Sequence, residues 1–496
     1  MAHKTGGRKP TPEQKAVLAA FRQGKSMRVT ALAGSGKTTT LEYLALKSPD
    51  KKILYIAFNK SVQVEAEERF PRNVTCRTAH SLAFSRFGGP LRGRLFPPAR
   101  VPANMAARLL GLHKMNLRPE NKDSEPPSLS SSALYAMARS TVTRFIRSAD
   151  DEVAEHHYVK PDGLTALDED LEGLKKVVVD AAREIWEDIS DPNGKLRCEQ
   201  DVYLKLWAMS KPKLRGYDVI MVDEAQDTDP LLAQVIEAQT QTQIVVVGDE
   251  NQAIYGWRGA TSFITDFPAE NEVSLTHSFR FGDAIAAEAN IWLDHLGSPM
   301  RVVGNPAKSS TVAELTDPDA VLCRTNGGAM AAVMHYLPLG KEVALVGGAR
   351  DLKHFVEQVD LLRRGRTVSH PDLATFPNWT AVQTYARTDE GKDLLVWVSL
   401  VETFGTARLL DAIDSLEQSE NDADVVVSTV HKAKGRQWPK VLIWGDFPEP
   451  TVDDNNILQP LERDEKMLAY VAVTRAQDVL DPAGLAWIRD YPVGSI

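Results

Sequence analysis

Residues 30–40 read TALAGSGKTTT and give the first indication of the fold. They follow the strand-like Met27-Arg28-Val29 and precede a run of leucines at helical spacing. A glycine-rich turn between a strand and a helix directs backbone N–H groups to one point, and the helix N-terminus adds partial positive charge there. We therefore predict a phosphate-binding loop, formed by Ala33, Gly34, Ser35 and Gly36.

The two residues after this loop suit a bound nucleotide and its metal ion. Lys37 can reach terminal phosphates, and the Thr38 hydroxyl can hold Mg²⁺. The usual pattern has a glycine where this chain has Ala31, although the core GSGKT is intact. The alternative is an ordinary flexible turn between a strand and a helix, so the other motifs must decide.

The composition excludes several classes of protein. The 496 residues carry a formal net charge of −9, which argues against a uniformly basic coat for nucleic acid. Residues 1–88 nevertheless carry an excess of about ten positive charges, which allows a local basic track. No apolar run approaches about 18 residues, and the three cysteines form no CxxC pair. We expect a cytoplasmic protein with no membrane segment and no structural metal.

A second apolar segment leads into paired carboxylates. Residues 217–222 read YDVIMV and are followed directly by Asp223 and Glu224. Asp223 can hold Mg²⁺ through water, and Glu224 can act as the base that orients an attacking water. The alternative, an acidic loop without a catalytic role, loses weight because the strand, its position and both carboxylates agree.

A third apolar segment, residues 243–247, leads into GDENQAIYGWRGA at 248–260. Gln252 is placed to sense a terminal phosphate. Tyr255 and Trp257 could stack on bases, each such contact being worth about 1–3 kcal/mol. Either aromatic could instead be a core anchor, although the glycines that flank Trp257 favour an exposed loop.

Two earlier segments add to the predicted site. Thr11 and Pro12 predict a helix start, and the amide of Gln14 on that helix could pair with adenine. A surface glutamine is the alternative. Residues 53–58 form a continuous apolar run, which is typical of a parallel strand buried on both faces. Phe58 and Asn59 come at its carboxyl end, where α/β sheets place their ligand loops.

The alternation of strands and helices predicts a doubly wound α/β fold in two units, each split by a mainly helical insertion. The first unit is expected at 1–88 plus 200–277. Its insertion, 89–199, shows no strand-like runs and has amphipathic helices at 133–148 and 168–189. The second unit is expected at 278–347 plus 423–496, with a smaller insertion at 348–422.

The order of these motifs resembles that of the UvrD/Rep/PcrA-like superfamily 1 DNA helicases, from near Thr11 to near Gln477. The matching segments are 33–38, 223–227, 248–260, 278–280, 429–435 and 470–476. Within that group the chain looks most like the F-box DNA helicases, with cues at 31–34, 57–61, 78–83, 201–207 and 376–379. Because the motifs begin near residue 11, we expect no F-box and a stand-alone prokaryotic or viral relative.

The resemblance implies two RecA-like motor domains that bind one ATP with Mg²⁺ and move 3′ to 5′ on single-stranded DNA. DNA junctions or tailed duplexes would be substrates, and recombinase or replication proteins are candidate partners. The implied catalytic residues are Lys37, Asp223, Glu224, Gln252, Arg280 and Arg475, of which the two arginines would be arginine fingers. Thr38 and Asp223 would hold Mg²⁺, and Phe279 and Gln14 would hold adenine. The implied DNA track consists of Phe58, Asn59, Lys60, Thr78, His80, Tyr255, Trp257, Arg258, Thr429 and His431.

Two positions depart from the family pattern at the nucleotide site. Gln437 stands where these enzymes usually have an acidic residue that bonds the ribose; a glutamine can still bond a hydroxyl, but more weakly. Thr39 replaces the arginine or similar long side chain that often packs on adenine. Both departures put base and sugar selectivity in doubt and leave hydrolysis unaffected.

Three activities are compatible with these motifs. The first is a DNA helicase acting in repair, recombination or replication. The second is a translocase that removes proteins such as recombinase filaments from DNA with little unwinding. The third is an ATP-gated DNA-binding accessory subunit, which intact Lys37, Glu224 and Arg475 argue against. A helicase–nuclease is disfavoured because the chain ends shortly after its last motor motif.

Overall fold

The computed structural model describes residues 9–95, 101–120, 126–161, 164–256, 263–366, 368, 370, 372–373, 376, 378–387, 391–453 and 457–494. Trp257 and Arg258 of the predicted DNA track, and Pro377 of the 376–379 cue, lie outside these residues. By their contacts the residues divide into two compact units, Met1–Thr30 with Lys37–Ser274, and Ala31–Gly36 with Leu275–Ile496. Within the described ranges, no helix is both long and apolar enough to cross a membrane.

The first unit is built on a sheet of six strands. They are β1 (Met27–Ala31), β2 (Ile53–Ala57), β3 (Val74–Thr78), β6 (Val219–Val222), β7 (Gln243–Gly248) and β8 (Asn271–Leu275). Their order is β3-β2-β6-β7-β1-β8, and the pairs from β3 through to β1 run parallel. Every residue of β2, β6 and β7 is buried, as their continuous apolar runs predict for strands covered on both faces.

Helices flank this sheet and fill the segment between β3 and β6. They are α1 (Pro12–Phe21), α2 (Lys37–Leu46), α3 (Lys60–Arg69), α4 (Ala79–Ala83), α5 (Gly89–Leu95), α6 (Ala103–Leu109), α7 (Ser131–Arg147), α8 (Asp168–Ser190), α9 (Gln200–Met209), α10 (Pro230–Glu237) and α11 (Phe263–Asp266). The predicted helices at 133–148 and 168–189 are confirmed as α7 and α8. Thr11 caps α1 in a reciprocal pair with Gln14, as its sequence predicts.

One expectation for this segment is wrong. Residues 89–199 were expected to contain no strand, but Met115–Asn116 (β4) and Ser128–Leu129 (β5) pair in an antiparallel ladder. Two residues per strand are too few to show alternation in the sequence. The segment remains mainly helical, and one continuous core joins it to the sheet through Ile56 of β2, Phe145 of α7 and Trp207 of α9.

The second unit holds another six-stranded sheet. Its strands are β9 (Thr311–Val312), β10 (Ala320–Cys323), β11 (Val343–Leu345), β12 (Val425–Thr429), β13 (Trp438–Ile443) and β14 (Ala476–Asp481), in the order β11-β12-β10-β13-β14-β9. All of these pairs run parallel.

The helices of the second unit pack on this sheet. They are α12 (Asp283–His295), α13 (Asn326–Tyr336), α14 (Arg350–Arg363), α15 (Trp379–Tyr385), α16 (Lys392–Asp414), α17 (Val430–Ala433) and α18 (Arg463–Val473). Gly405 interrupts α16 with a φ of +75°, a backbone conformation that glycine adopts without strain. A single core joins β10 and β12 to helices α13, α14 and α16. Two parallel sheets flanked by helices are consistent with two RecA-like domains, the predicted fold class.

Candidate functional site

The candidate site of the first unit lies where three neighbouring strands end. Helix α2 begins at Lys37 after β1, Asp223 and Glu224 follow β6, and Asp249 follows β7. Because β6, β7 and β1 are adjacent and parallel, their carboxyl ends meet at one edge of the sheet. The fold therefore places the first turn of α2 beside the acidic residues.

Asp223 accepts hydrogen bonds through both of its carboxylate oxygens. Its Oδ2 accepts a hydrogen bond from Thr38 Oγ1 at 2.9 Å, and its Oδ1 accepts one from the backbone N–H of Glu224 at 2.9 Å. Burial and then the charge of Glu224 raise the pKa of Asp223, whereas Lys37 and the hydroxyl donors lower it. Thr38 and Asp223 thus present one hydroxyl and one carboxylate at the same point, the oxygen ligands that Mg²⁺ prefers.

Tyr55 completes this arrangement, and the sequence analysis missed it. Its hydroxyl donates to Asp223 Oδ2 at 2.9 Å, and the side chain is fully buried in β2. Burial, followed by the charge of Asp223, raises the pKa of Tyr55 well above its ordinary value, so the phenol keeps its proton and donates. The only available signal was a tyrosine within an otherwise aliphatic strand, whose hydroxyl must find a partner when buried.

Lys37 is held by the predicted base. Its Nζ lies 3.1 Å from Glu224 Oε2, and the lysine is largely buried. Burial alone would lower the pKa of Lys37, but the charges of Glu224, Asp249 and Asp223 raise it above its ordinary value. The ammonium is therefore fully charged, and phosphate oxygens would compete with Glu224 for it.

Glu224 has an unusual backbone. Its φ of +51° and ψ of 44° lie in the left-handed region, which costs a residue with a side chain about 1–3 kcal/mol and clusters at functional sites. Its carboxylate also accepts a hydrogen bond from Gln226 Nε2 at 2.6 Å. Strand β6 ends abruptly here, and the strained turn directs Glu224 toward Lys37.

A hydrogen-bonded chain continues from Gln226 to the segment after β7. Gln226 Oε1 accepts from the backbone N–H of Asp249 at 3.0 Å, and Asp249 Oδ2 accepts from Gln252 Nε2 at 2.6 Å. Gln226, Asp249 and Gln252 are all buried. The predicted base Glu224 and the predicted phosphate sensor Gln252 therefore belong to one network. Gln226 lies within the motif segment 223–227, but its hydrogen bond with Asp249 depends on the register between strands.

The predicted adenine-reading residue lies beside helix α2. Gln14 is buried, its Oε1 accepts from the backbone N–H of Thr11 at 3.1 Å, and its Nε2 donates to Thr40 Oγ1 at 3.2 Å. The amide is thus oriented by a helix cap on one side and by α2 on the other. Each end keeps one further hydrogen-bonding position, which is what pairing with a base edge requires.

Arg69 is a second residue that the sequence analysis missed. It lies at the end of α3, and its Nη2 donates to Thr39 Oγ1 at 3.1 Å and to the buried Glu42 at 3.3 Å. Thr39 is the position where the resemblance predicts an arginine or a similar long side chain. The guanidinium of Arg69 on α3 therefore lies at the same turn of α2. Its position depends on the packing of α3 against α2, which the local sequence does not indicate.

The contacts of the glycine-rich turn, residues 31–36, assign it to the second unit. Gly34 and Gly36 have φ values of +72° and +80°, where a side chain would strain the backbone. The Ala33 N–H donates to the Tyr470 hydroxyl at 3.2 Å, and the Phe279 N–H donates to Gly34 O at 2.7 Å. The Ser35 hydroxyl turns back to Leu32 O at 2.7 Å.

The two predicted arginine fingers differ in their surroundings within the second unit. Arg280 is partly exposed, and it donates from Nε to Gln437 Oε1 at 2.7 Å and from Nη1 to Thr474 O at 2.8 Å. Arg475 is only 2 % exposed, and its Nε donates to Val471 O at 2.9 Å. Gln437, the position expected to bond ribose, is here a partner of Arg280.

Phe58 and Tyr255, two residues of the predicted DNA track, form an aromatic pair in the first unit. Their ring centroids lie 5.7 Å apart with an interplanar angle of 18°, and Phe58 is 40 % exposed. Two stacked rings that remain partly open to solvent present a flat apolar face. Tyr255 is therefore half-buried rather than a core anchor.

A cavity of about 390 Å³ joins this pair to the carboxylates. Phe58, Tyr255 and His80 line one part of it, and Asp223 and Glu224 line another. His80 Nδ1 lies 3.1 Å from the hydroxyl of Tyr203 on α9. Asp223 and Glu224 thus share one concave surface with part of the predicted DNA track.

The remaining predicted DNA residues have varied local roles. Asn59 caps α3 through a bond from the Val62 N–H at 2.9 Å, and Thr78 caps α4 in a reciprocal pair with Ser81. Lys60 donates to Gln63 at 3.3 Å. In the second unit, Thr429 ends β12 and is buried, and His431 is half-buried in the first turn of α17.

Comparison with known proteins adds independent support. Residues 208–269 match the UvrD/REP helicase N-terminal domain, and residues 387–481 match the UvrD-like helicase C-terminal domain. F-box DNA helicase 1 of Gallus gallus is 30% identical over 95% of this chain and 49% of its own length. F-box DNA helicase protein 1 of Schizosaccharomyces pombe is 29% identical over 94% of this chain and 56% of its own length. The chain thus spans about half the length of these two relatives.

Shorter similarities point the same way. DNA helicase II of Escherichia coli is 32% identical over 18% of this chain and 14% of its own length. Arterivirus nonstructural protein 10 (helicase) aligns over 96% of this chain and 63% of that chain with a TM-score of 0.33 and 12% identity, too weak a likeness to carry an argument. Both family domains, in the predicted order, and the extended similarity to F-box DNA helicases agree with the motifs. The chain therefore carries regions similar to both the N-terminal and the C-terminal domains of UvrD-like helicases.

Proposed function

We propose that this chain is an ATP-dependent motor that moves 3′ to 5′ along single-stranded DNA and unwinds tailed duplexes or junctions. The observation that carries the proposal is the cavity shared by Asp223 and Glu224 with the aromatic pair Phe58 and Tyr255. A DNA-dependent ATPase needs a hydrolytic pair and a base-stacking surface, and here both line one cavity.

The residues of the first unit fit ATP with Mg²⁺. Lys37 offers a charged ammonium to phosphate oxygens, Thr38 and Asp223 offer oxygen ligands, and the first turn of α2 offers backbone N–H groups. Bound Mg²⁺ would neutralise charge on the β- and γ-phosphates. In the proposed site, Gln14 would read adenine and Arg69 would lie against the base from the side of Thr39.

Hydrolysis in the proposed mechanism begins with a change of partner for Lys37. When phosphate oxygens attract its Nζ, Glu224 loses a positive neighbour and becomes a stronger proton acceptor. Glu224 would then take the proton from the attacking water while Gln252 contacts the terminal phosphate. Arg280 and Arg475 are proposed as the fingers that stabilise transition-state charge, a role worth about 10³–10⁵ in rate.

Movement along DNA would follow from a cycle of binding and release. Bound ATP would favour one conformation by its interactions with the arginines, and loss of the terminal phosphate would remove that preference. Phe58 and Tyr255 would grip a base by stacking, with His80, Thr429 and His431 along the strand. The predicted division into two motor domains with helical insertions at 89–199 and 348–422 belongs to this proposal.

An unwinding assay on duplexes with a 3′ or a 5′ single-stranded tail tests the proposal. We expect strand separation with ATP on the 3′-tailed duplex and much less on the 5′-tailed one. Preference for the 5′ tail would overturn the polarity. ATP-driven removal of a bound protein filament without strand separation would favour the translocase, and DNA binding without any hydrolysis would favour an accessory subunit.

A further inference from the structure

We infer that Gln226 is a positioning residue that couples the DNA-contacting loop after β7 to the hydrolytic carboxylate Glu224. This inference rests on the proposed function and adds the route by which DNA binding would stimulate hydrolysis. The side chain of Gln226 is fully buried and lies between the two elements that must communicate.

The two ends of this amide each form a hydrogen bond, one with Glu224 after β6 and one with Asp249 after β7. Nε2 donates to Glu224 Oε2 at 2.6 Å, and Oε1 accepts from the backbone N–H of Asp249 at 3.0 Å. An amide group is rigid and planar, so a displacement of Asp249 must be followed by Gln226 or must break one of these bonds. Glu224 is therefore tied to the start of the loop through a single side chain.

The loop side of this link leads to the aromatic pair within a few residues. Asp249 accepts from the Asn251 N–H at 3.1 Å and from Gln252 Nε2 at 2.6 Å, which makes residues 249–252 a compact turn. Three residues further on, Tyr255 stacks on Phe58. A base that inserts at this pair would push on the turn, and the turn carries the atom that Gln226 holds.

Gly248 gives independent support for the close approach. A Cβ at this position would lie 2.2 Å from Gln226 Oε1 and 3.1 Å from the Ala225 backbone nitrogen. The glycine therefore leaves room for the hydrogen bond that the Asp249 N–H donates to Gln226 Oε1, and its φ lies outside the left-handed region that would otherwise explain it. Adding one methyl group here should displace Gln226 without touching a charged residue.

The hydrolytic side can respond because Glu224 is held by its neighbours rather than by regular structure. Its left-handed backbone is strained, and Gln226 and Lys37 both contact Oε2. When Lys37 turns to phosphate, Gln226 continues to orient the carboxylate. A displacement of about 1 Å in a catalytic group can cost about 100-fold in rate, so a small motion of Gln226 is sufficient.

The test measures ATP turnover by the full chain with and without single-stranded DNA, together with ATP affinity and thermal stability. The variants are Gln226→Met, which removes both bonds, Gln226→Glu, which keeps the acceptor for Asp249 but repels Glu224, and Gly248→Ala. Gln243→Met is the matched control, because Gln243 is also buried and bonds backbone carbonyls of Phe21 and Lys25. All of these substitutions should lower stability.

We expect the three coupling variants to bind ATP within about twofold of the parent chain, while DNA stimulation of turnover falls by about tenfold to 100-fold. The Gln243→Met control should keep its stimulation. If folded Gln226 and Gly248 variants are stimulated as strongly as the parent, or if the control loses stimulation equally, the inference is overturned and the proposed function stands. A parent chain that hydrolyses ATP without any response to DNA would overturn both.

Discussion

Replacing Tyr55 with phenylalanine should raise the Mg²⁺ concentration that ATP hydrolysis requires. The substitution keeps the ring, which packs on Phe70 at a centroid distance of 4.8 Å, and removes only the hydroxyl that donates to Asp223 Oδ2. Thr38 remains as a donor to the same oxygen. The change is therefore confined to the orientation and basicity of one proposed metal ligand.

The magnitude follows from the hydrogen bond that is lost. A buried bond to a charged group contributes about 1.5–3 kcal/mol, and each 1.4 kcal/mol is about a tenfold change in an equilibrium constant. Loss of a residue that orients a metal ligand typically costs about 10–100-fold in metal affinity. We therefore expect the Mg²⁺ concentration for half-maximal turnover to rise about tenfold or more, with a much smaller change in turnover at saturating Mg²⁺.

The assay is a Mg²⁺ titration of steady-state ATP hydrolysis in the presence of single-stranded DNA. Tyr43→Phe is the matched control, because Tyr43 lies on the neighbouring helix α2, is half-exposed and contacts Lys47 with its ring. The shift should grow as the pH falls, since removing a donor raises the pKa of Asp223 and protons then compete with the metal. An unchanged Mg²⁺ dependence in a folded Tyr55→Phe variant would refute the role assigned to this hydroxyl.

Three further predictions concern the first unit. Arg69→Ala should raise the KM for ATP about two- to fivefold, and Arg69→Lys should have an intermediate effect because lysine lacks a planar group. KM values equal to that of the parent chain would refute the place of Arg69 beside the base. Phe58→Ala or Tyr255→Ala should weaken single-stranded DNA binding by about 1–3 kcal/mol in fluorescence anisotropy and spare ATP binding without DNA. Burial lowers the pKa of Lys205 to about 8, so the unfolded chain binds more protons at this lysine than the folded chain between about pH 8 and 10.5. The free energy of unfolding, measured relative to Lys205→Met, should therefore rise with pH in that window by at most about 1.4 kcal/mol per pH unit. A difference in the free energy of unfolding that does not change with pH in denaturant titrations would contradict this prediction.

The fold was predictable because its signals are local. The apolar segments predicted at 53–58, 217–222 and 243–247 correspond to the buried parallel strands β2, β6 and β7, and Thr11 with Gln14 forms the expected helix start. The motifs at strand ends meet because parallel strands bring their carboxyl ends to one edge. The meeting of these motifs follows from the order of strands and helices along the chain, which the sequence patterns predict.

The contacts that organise the site were less predictable, because they depend on register between distant segments. Tyr55 reaches Asp223 only because β2 pairs with β6, and Arg69 reaches Thr39 only because α3 packs beside α2. Local patterns were also available and unused. Asn59 and Thr78 stand at helix starts, where such side chains commonly cap the backbone, so a cap is part of any role that they have on DNA.

The most direct test of the account measures ATP hydrolysis by the parent chain and by Lys37→Ala, each with and without single-stranded DNA. The account predicts that DNA strongly stimulates the parent, and that Lys37→Ala loses more than about 100-fold of that turnover while it still binds DNA. Lys37 contacts Glu224 and would bind the phosphates, so its loss removes a positive charge both from beside Glu224 and from the phosphate site. Normal turnover in Lys37→Ala, or a parent chain with no ATP hydrolysis on DNA, would contradict the central claim.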